Sequence, residues 1–160
     1  TIDDFIKDKV PPDFIKMDIE GAEVDVISGM KKYLSVKKPI KILMELHPDK
    51  YSGDRFIEQV KRLYENDFYP KIVISATTSK PKQFLDMGYH PVREYTTGKW
   101  SRGVYNNITQ EDFIKLINNK EKITVTYPIS QYIKRPWLLL TNPSYITSKI
   151  VRAVMFEKKV

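Results

Sequence analysis

The apolar positions of this chain switch repeatedly between two periods, one close to the helical repeat and one close to strand alternation. Phe56, Ile57, Val60, Leu63 and Tyr64 recur at i, i+1, i+4, i+7 and i+8, which predicts an amphipathic helix over 54–65. Val24, Ile27, Met30 and Leu34 share one helical face. Glu23 and Asp25 stand at the start of that stretch and Lys31 and Lys32 towards its end, where the helix dipole favours them, so a helix is predicted over 22–34. Short apolar runs at 13–18, 39–46 and 69–75 are the length of strands, and Pro11 and Pro12 keep the first of them from continuing a helix. Thr1-Ile2-Asp3-Asp4 has the form of a capping box and predicts a short helix over 2–8. Helix and strand alternate, as an α/β fold requires.

After Ala76 the pattern loosens. Thr77 to Pro81 reads as a loop, 84–93 is ambiguous, and 102–108 is a candidate strand. Thr109-Gln110-Glu111-Asp112 is a second capping box, opening a helix that buries Phe113, Ile114 and Ile117. Ile123, Val125, Tyr127 and Ile129 alternate with polar residues and predict a strand, which Pro128 confines to a sheet edge. In 143–160, Ile146, Ile150, Val151 and Val154 lie near Lys149 and Arg152. That pattern predicts a helix docked on the domain, the alternative being a helix resting on a membrane surface.

Composition narrows the picture modestly. A chain of 160 residues can bury a core as one domain, here divided into a motif-bearing αβαβαβ portion, 1–76, and an acceptor-side and terminal portion, 77–160. The absence of Cys excludes disulfides, thiolate nucleophiles and Cys-ligated zinc, and the cytoplasm is the expected compartment. The net charge of +7 comes mostly from scattered lysines. They read as a solvated surface, with no nucleic acid expected as partner and a weak membrane-surface contact open to the basic carboxyl-terminal segment.

The chemistry concentrates at the ends of two predicted strands. Asp18, Glu20, Gly21 and Glu23 follow the first run, and Glu45 and His47 end the second. In open α/β sheets the ligand crevice lies beyond the carboxyl ends of the strands, so acids placed there face a site. Gly21 permits a sharp turn or a close backbone approach, and Glu23 reads as a first-turn helix residue.

Phe14 to Glu23, FIKMDIEGAE, resembles the FkbM family of S-adenosylmethionine-dependent methyltransferases, whose members carry a hydrophobic strand ending in D-x-E-G-x-E. Upstream TIDDF and downstream PIKILMELHP extend the resemblance, which covers the first third of the chain residue by residue and fades after Thr78. It implies a Rossmann-like class I methyltransferase sheet, mostly parallel with room for an antiparallel edge strand. It also implies S-adenosylmethionine as cofactor and a hydroxyl of a glycan or a secondary metabolite as acceptor. Catalytic roles then fall to Asp18, Glu20 and His47, cofactor contacts to Asp18 and Gly21, and substrate contacts to Glu45, Tyr95 and Trp100. Histidine suits the general base. Tyr105 is a further candidate for the acceptor pocket, and His90 reads as a turn residue. The acids and His47 can also hold magnesium, but the expectation adopted is that they orient the hydroxyl without metal.

One departure stands out. The glycines are Gly21, Gly29, Gly53, Gly88, Gly98 and Gly103, so no G-x-G turn is present to cradle the cofactor. The expectation is a carboxyl-terminal half of a longer methyltransferase, which by itself binds cofactor weakly. A noncatalytic interaction module, and a basic peripheral domain binding anionic membrane or nucleic acid, are the alternatives. If the first two strands are parallel neighbours, Glu20, Glu45 and His47 should converge on Asp18.

Overall fold

The computed structural model describes residues 1–118, 120–124 and 145–159. The elements run α1 (Ile2–Phe5), β1 (Phe14–Met17), α2 (Glu23–Ser28), α3 (Lys31–Ser35), β2 (Lys41–Glu45), α4 (Gly53–Glu65), β3 (Phe68–Ser75), α5 (Lys82–Asp86), β4 (Arg93–Thr97), β5 (Trp100–Asn106), α6 (Gln110–Asn118), β6 (Lys120–Thr124), β7 (Tyr145–Lys149) and β8 (Val151–Lys158). Six strands form one sheet in the order β1-β2-β8-β3-β5-β4, while β6 and β7 form a separate two-stranded pair.

β1 and β2 are parallel neighbours, with Ile15 opposite Ile42 and Met17 opposite Met44. Every other pairing in the large sheet is antiparallel, including β8 against both β2 and β3. The sheet is therefore mixed, which corrects the mostly parallel expectation. Its antiparallel strand β8 lies in the interior of the sheet rather than at an edge. Alternation explains why β8 suits that place: Val154 and Phe156 are fully buried on one face, and Ala153, Met155 and Glu157 stand on the other, half-exposed. The same residues contradict the helix expected over 143–160, where the described residues form strands β7 and β8. A spacing of i and i+4 between Ile150 and Val154 mimics a helical stripe, but the two-residue alternation from Val154 to Lys158 decides the element. Among the described residues, no helix is long and apolar enough to cross a membrane. The strand predicted from Ile123 to Ile129 is seen as β6 as far as Thr124, and Val125 to Ile129 lie outside the described residues.

The core sits between one face of the sheet and helices α2, α3, α4 and α6, with Ile42, Met44, Val73, Val154 and Phe156 meeting Val24, Ile27, Val60, Leu63 and Phe113. Phe113 packs edge-on against Phe156 at 5.5 Å between centroids. In α6, Phe113 and Leu116 are buried, whereas Ile114 and Ile117 are only partly so. The capping box at Thr1 forms as read, Thr1 accepting from the Asp4 amide at 3.1 Å; at Thr109 one half of the box is seen, its hydroxyl accepting from the Asp112 amide at 3.1 Å while its own amide donates to the Tyr89 hydroxyl.

The single helix predicted over 22–34 is two helices, α2 and α3, broken at Gly29 and Met30. The break is compensated from a distance. Asp3, held in α1, accepts hydrogen bonds from the Lys32 and Tyr33 amides, both at 2.9 Å, and so caps α3 in place of a local side chain. At the other end of α3, the buried Lys158 ammonium of β8 donates to the carbonyls of Leu34 and Val36. Asp3→Ala should cost about 1 kcal/mol of stability, the size of a lost cap, read as a lower urea midpoint with unchanged slope; Asp3→Asn should recover most of it.

Buried phenols weaken the fold in alkali, Tyr33 and Tyr105 among them. Tyr33 and Tyr105 are both pushed up to about 12, first by burial and then by Asp13 and Glu94 respectively. Below a pH of about 10 both folded and unfolded chains keep these protons; between about 10 and about 12 only the unfolded chain loses them, so stability falls as pH rises. Urea midpoints measured across that window should decline, and more shallowly in Tyr105→Phe.

Candidate functional site

The site is built where β1 and β2 end side by side. Beyond Met17, the chain passes Asp18 and Ile19 into a tight turn closed by the Ala22 amide on the Ile19 carbonyl at 3.3 Å. Glu20 and Gly21 at its centre both have positive φ, 54° and 107°. Such values suit glycine and are uncommon for glutamate, so the backbone at Glu20 is held in a sparsely populated conformation. Gly21 is needed twice over: a Cβ there would lie 2.3 Å from the Cβ of Lys50. Lys50 belongs to the turn after β2, which its amide closes on the His47 carbonyl at 2.9 Å. The two strand-end loops thus press against each other, and the space a cofactor contact at Gly21 would need on its Cα is filled by Lys50.

That contact brings the acids to the histidine. His47, 12 % exposed in its side chain, has Nε2 at 3.8 Å from Asp18 Oδ1, 3.8 Å from Glu20 Oε1 and 3.8 Å from Glu45 Oε1. Nδ1 lies 2.8 Å from Oε1 of Glu23, whose side chain is fully buried. A carboxylate at that distance accepts a hydrogen bond from Nδ1, and Nε2 faces the three other acids. The His47 amide donates to the Tyr51 hydroxyl at 3.2 Å, and the Tyr51 phenol is pushed up by burial and then by Glu23.

Cations line the rim. Lys16 stands 3.7 Å from Oδ2 of Asp18, and Arg152 of β8 pairs with Oε1 of Glu45. Lys149 donates to the Leu46 carbonyl, and its ammonium is pushed down by burial and then by Arg152. Arg102 of β5, buried against the carbonyls of Ser75 and Ala76, is pushed down by burial and then by the same Arg152.

The sequence-predicted residues divide. Asp18, Glu20, Glu45 and His47 come together as expected from parallel strands. Tyr95 stands on the open face of the sheet, opposite Arg102 in register, and shares a depression with Glu45 and Arg152. Trp100 is at the β4–β5 hairpin end beneath the Lys99 ammonium, outside that depression. Tyr105 is a core residue, fully buried against Phe84 with its hydroxyl donating to the Ser79 carbonyl at 2.6 Å, which removes it from the pocket. His90 is exposed, in keeping with a turn role.

Glu23 stands in the first turn of α2, as read, but its side chain is buried against His47, a role that sequence reasoning did not give it. A signal was present: Glu23 precedes Ile27, Met30 and Leu34 by four, seven and eleven residues, so it occupies a position of the buried stripe. A carboxylate in such a stripe needs a partner, and His47 is that partner.

Sequence comparison adds one finding of weight: residues 1–85 match the methyltransferase FkbM domain. The chain belongs to the FkbM methyltransferase family. The matched segment holds α1 to α4, β1 to β3 and all but the last residue of α5, and therefore the whole acid-and-histidine crevice. No curated protein and no solved structure gives a significant match.

The loop contact yields a direct test. Gly21→Ala should destabilise the chain by about 2 kcal/mol or more, combining positive-φ strain with the Lys50 collision, and lower its melting temperature. Adding Lys50→Gly should restore part of the loss; strictly additive effects would mean that the two loops do not touch.

Proposed function

We propose that this FkbM methyltransferase chain serves S-adenosylmethionine-dependent methylation of a hydroxyl, on a glycan or a small-molecule secondary metabolite, at the crevice between the ends of β1 and β2. The convergence of Asp18, Glu20, Glu45 and His47 Nε2 carries this reading.

An alcohol oxygen becomes an effective nucleophile as it loses its proton, so the site must accept a proton and hold the oxygen in line. The crevice consists of acceptors: three carboxylates and an imidazole lone pair. Such a set orients a hydroxyl through its proton and stabilises the positive charge that arrives when the proton leaves. Glu23, behind the ring, fixes the tautomer that keeps Nε2 open. Arg152 holds Glu45 against the rim, and Tyr95 offers an aromatic wall on the same depression.

The acidic donor set also fits the cofactor, whose sulfonium and ammonium are cationic; Asp18 would face that positive end, while Gly21, covered by Lys50, would not contribute its Cα face. When bound, the cofactor supplies an electrophilic methyl group.

In the methyltransferase, Asp18→Asn and His47→Gln should each lower turnover by at least about tenfold; Asp18→Asn should leave the melting temperature nearly unchanged, since it keeps side-chain size and removes charge, whereas His47→Gln should also lower it, because buried Glu23 loses its imidazole partner. Turnover unchanged in both variants would overturn the assignment of the crevice.

A further inference from the structure

The three electron-rich atoms that face one another in the crevice have the spacing of a coordination site. His47 Nε2 is 3.8 Å from both Asp18 Oδ1 and Glu20 Oε1, and the ligand atoms of the three residues all lie within 4.8 Å of one another. Atoms so spaced are equidistant from a point about 1.9–2.4 Å away, which spans the metal–ligand distances of divalent cations. At 3.8 Å neither of these contacts is a hydrogen bond, so the imidazole nitrogen and the two carboxylate oxygens face one another without bonding directly.

Each ligand atom is also left free by its neighbours. Lys16 is drawn to Oδ2 of Asp18, not to Oδ1. Glu45 is claimed by Arg152 and stands outside the triad. An independent observation lies behind the imidazole. Glu23 is 0 % exposed, its Oε1 is 2.8 Å from Nδ1, and its Oε2 has no hydrogen-bond partner among the described residues. A fully buried carboxylate aimed at the back of a histidine is the arrangement that fixes a metal-ligating ring, because it holds the proton on one nitrogen and raises the basicity of the other. On the strand side, Glu20 is brought into range by a positive-φ turn that Gly21 and the Lys50 contact enforce.

We propose that Asp18, Glu20 and His47 bind a divalent cation, with Glu23 as the residue that positions His47. Two carboxylates and one imidazole select a hard to borderline ion, magnesium or manganese, over ions that prefer sulfur. Three protein ligands leave coordination positions open to water or to an acceptor hydroxyl; a bound cation would make that hydroxyl's proton easier to remove, and with Nε2 engaged on the ion the proton would pass to Glu45 beside the triad. This replaces the metal-free expectation drawn from sequence. It rests on the reading of the crevice as the acceptor site, and names what activates the hydroxyl there.

The test is titration of the complete 160-residue chain with manganese(II), followed by water-proton relaxation and by broadening of histidine ring resonances. One saturable site below about 1 mM is expected, with His47 signals broadened before those of His90. Asp18→Asn and Glu20→Gln should each weaken binding at least tenfold, and Glu23→Gln about tenfold or more. Glu94→Gln, an acid paired with Lys80 on β4, should leave it unchanged. Circular dichroism identifies any variant that fails to fold, and histidine broadening in the unsubstituted chain then decides alone. Absence of saturable binding, equal broadening of both histidines, or binding indifferent to Asp18→Asn and Glu20→Gln in folded variants overturns the proposal. Because binding is read without methyl transfer, its failure leaves the methyltransferase reading standing, and the failure of turnover leaves a positive titration standing.

Discussion

The insertion of β8 between β2 and β3 is the constraint on which both the sheet and the site depend. β2 and β3 are not neighbours; each makes its ladder with β8, so the last strand of the described chain joins the parallel β1–β2 pair to the antiparallel β3–β5–β4 group. Val154 and Phe156 supply the apolar contacts, and the burial of two such side chains is worth a few kcal/mol. The polar ends of the same strand do the rest. Lys158 reaches the carbonyl end of α3, Arg152 reaches Glu45, and just before the strand Lys149 reaches the Leu46 carbonyl. A strand that ties the sheet together also sets the charges around the crevice, so the core and the site cannot be varied independently there.

Within that frame the pair of Glu23 and His47 dominates the electrostatics. Taking a carboxylate fully out of water costs several kcal/mol unless the geometry of its partner is good, and a 2.8 Å contact to an imidazole nitrogen meets that condition. The side chain belongs to α2, which follows β1, whereas the ring belongs to the end of β2. The contact therefore crosses the βαβ connection and fixes the loop after one strand to the loop after the next. Phe56, Tyr51 and the Tyr51 hydroxyl then close off the side away from solvent.

Much of the arrangement was legible in the sequence where local periodicity decides the element. The stripe from Phe56 to Tyr64, the capping box at Thr1 and the apolar runs ending at Met17 and Glu45 form close to their expected places, although the first helix ends at Phe5 and not at Asp8. The convergence of Asp18 and His47 followed from strand parallelism alone. What was not legible depends on partners distant in sequence. Nothing local says that Asp3 will cap a helix 29 residues away, which is what allows α2 and α3 to separate. Nothing local says that Val151–Lys158 will enter an existing sheet, and without that partner its apolar spacing reads equally well as a helix. Tyr105 likewise looked available for ligands because its burial is set by Phe84 and Ser79, which come from another segment.

The crevice itself runs against the usual economy of a fold. Three carboxylates stand 3.8 Å from one imidazole nitrogen, one of them on a residue with positive φ, and two loops meet where a single methyl group would not fit. Like charges gathered in this way repel, and a strained backbone costs of the order of 1–3 kcal/mol, so neither feature helps the chain to fold. Both persist because the surrounding contacts over-determine them: the Glu23–His47 bond from below, Arg152 and Lys16 from the rim, and the parallel register of β1 and β2 from behind. A site that concentrates negative charge at a cost to stability is relieved by whatever positive charge enters it, whether a proton, a sulfonium or a cation. By linkage, any such ligand stabilises the folded chain by an amount that grows with the logarithm of its concentration relative to its dissociation constant. The same physics that makes the crevice expensive to build makes it selective for positively charged groups, and so joins the fold to its chemistry.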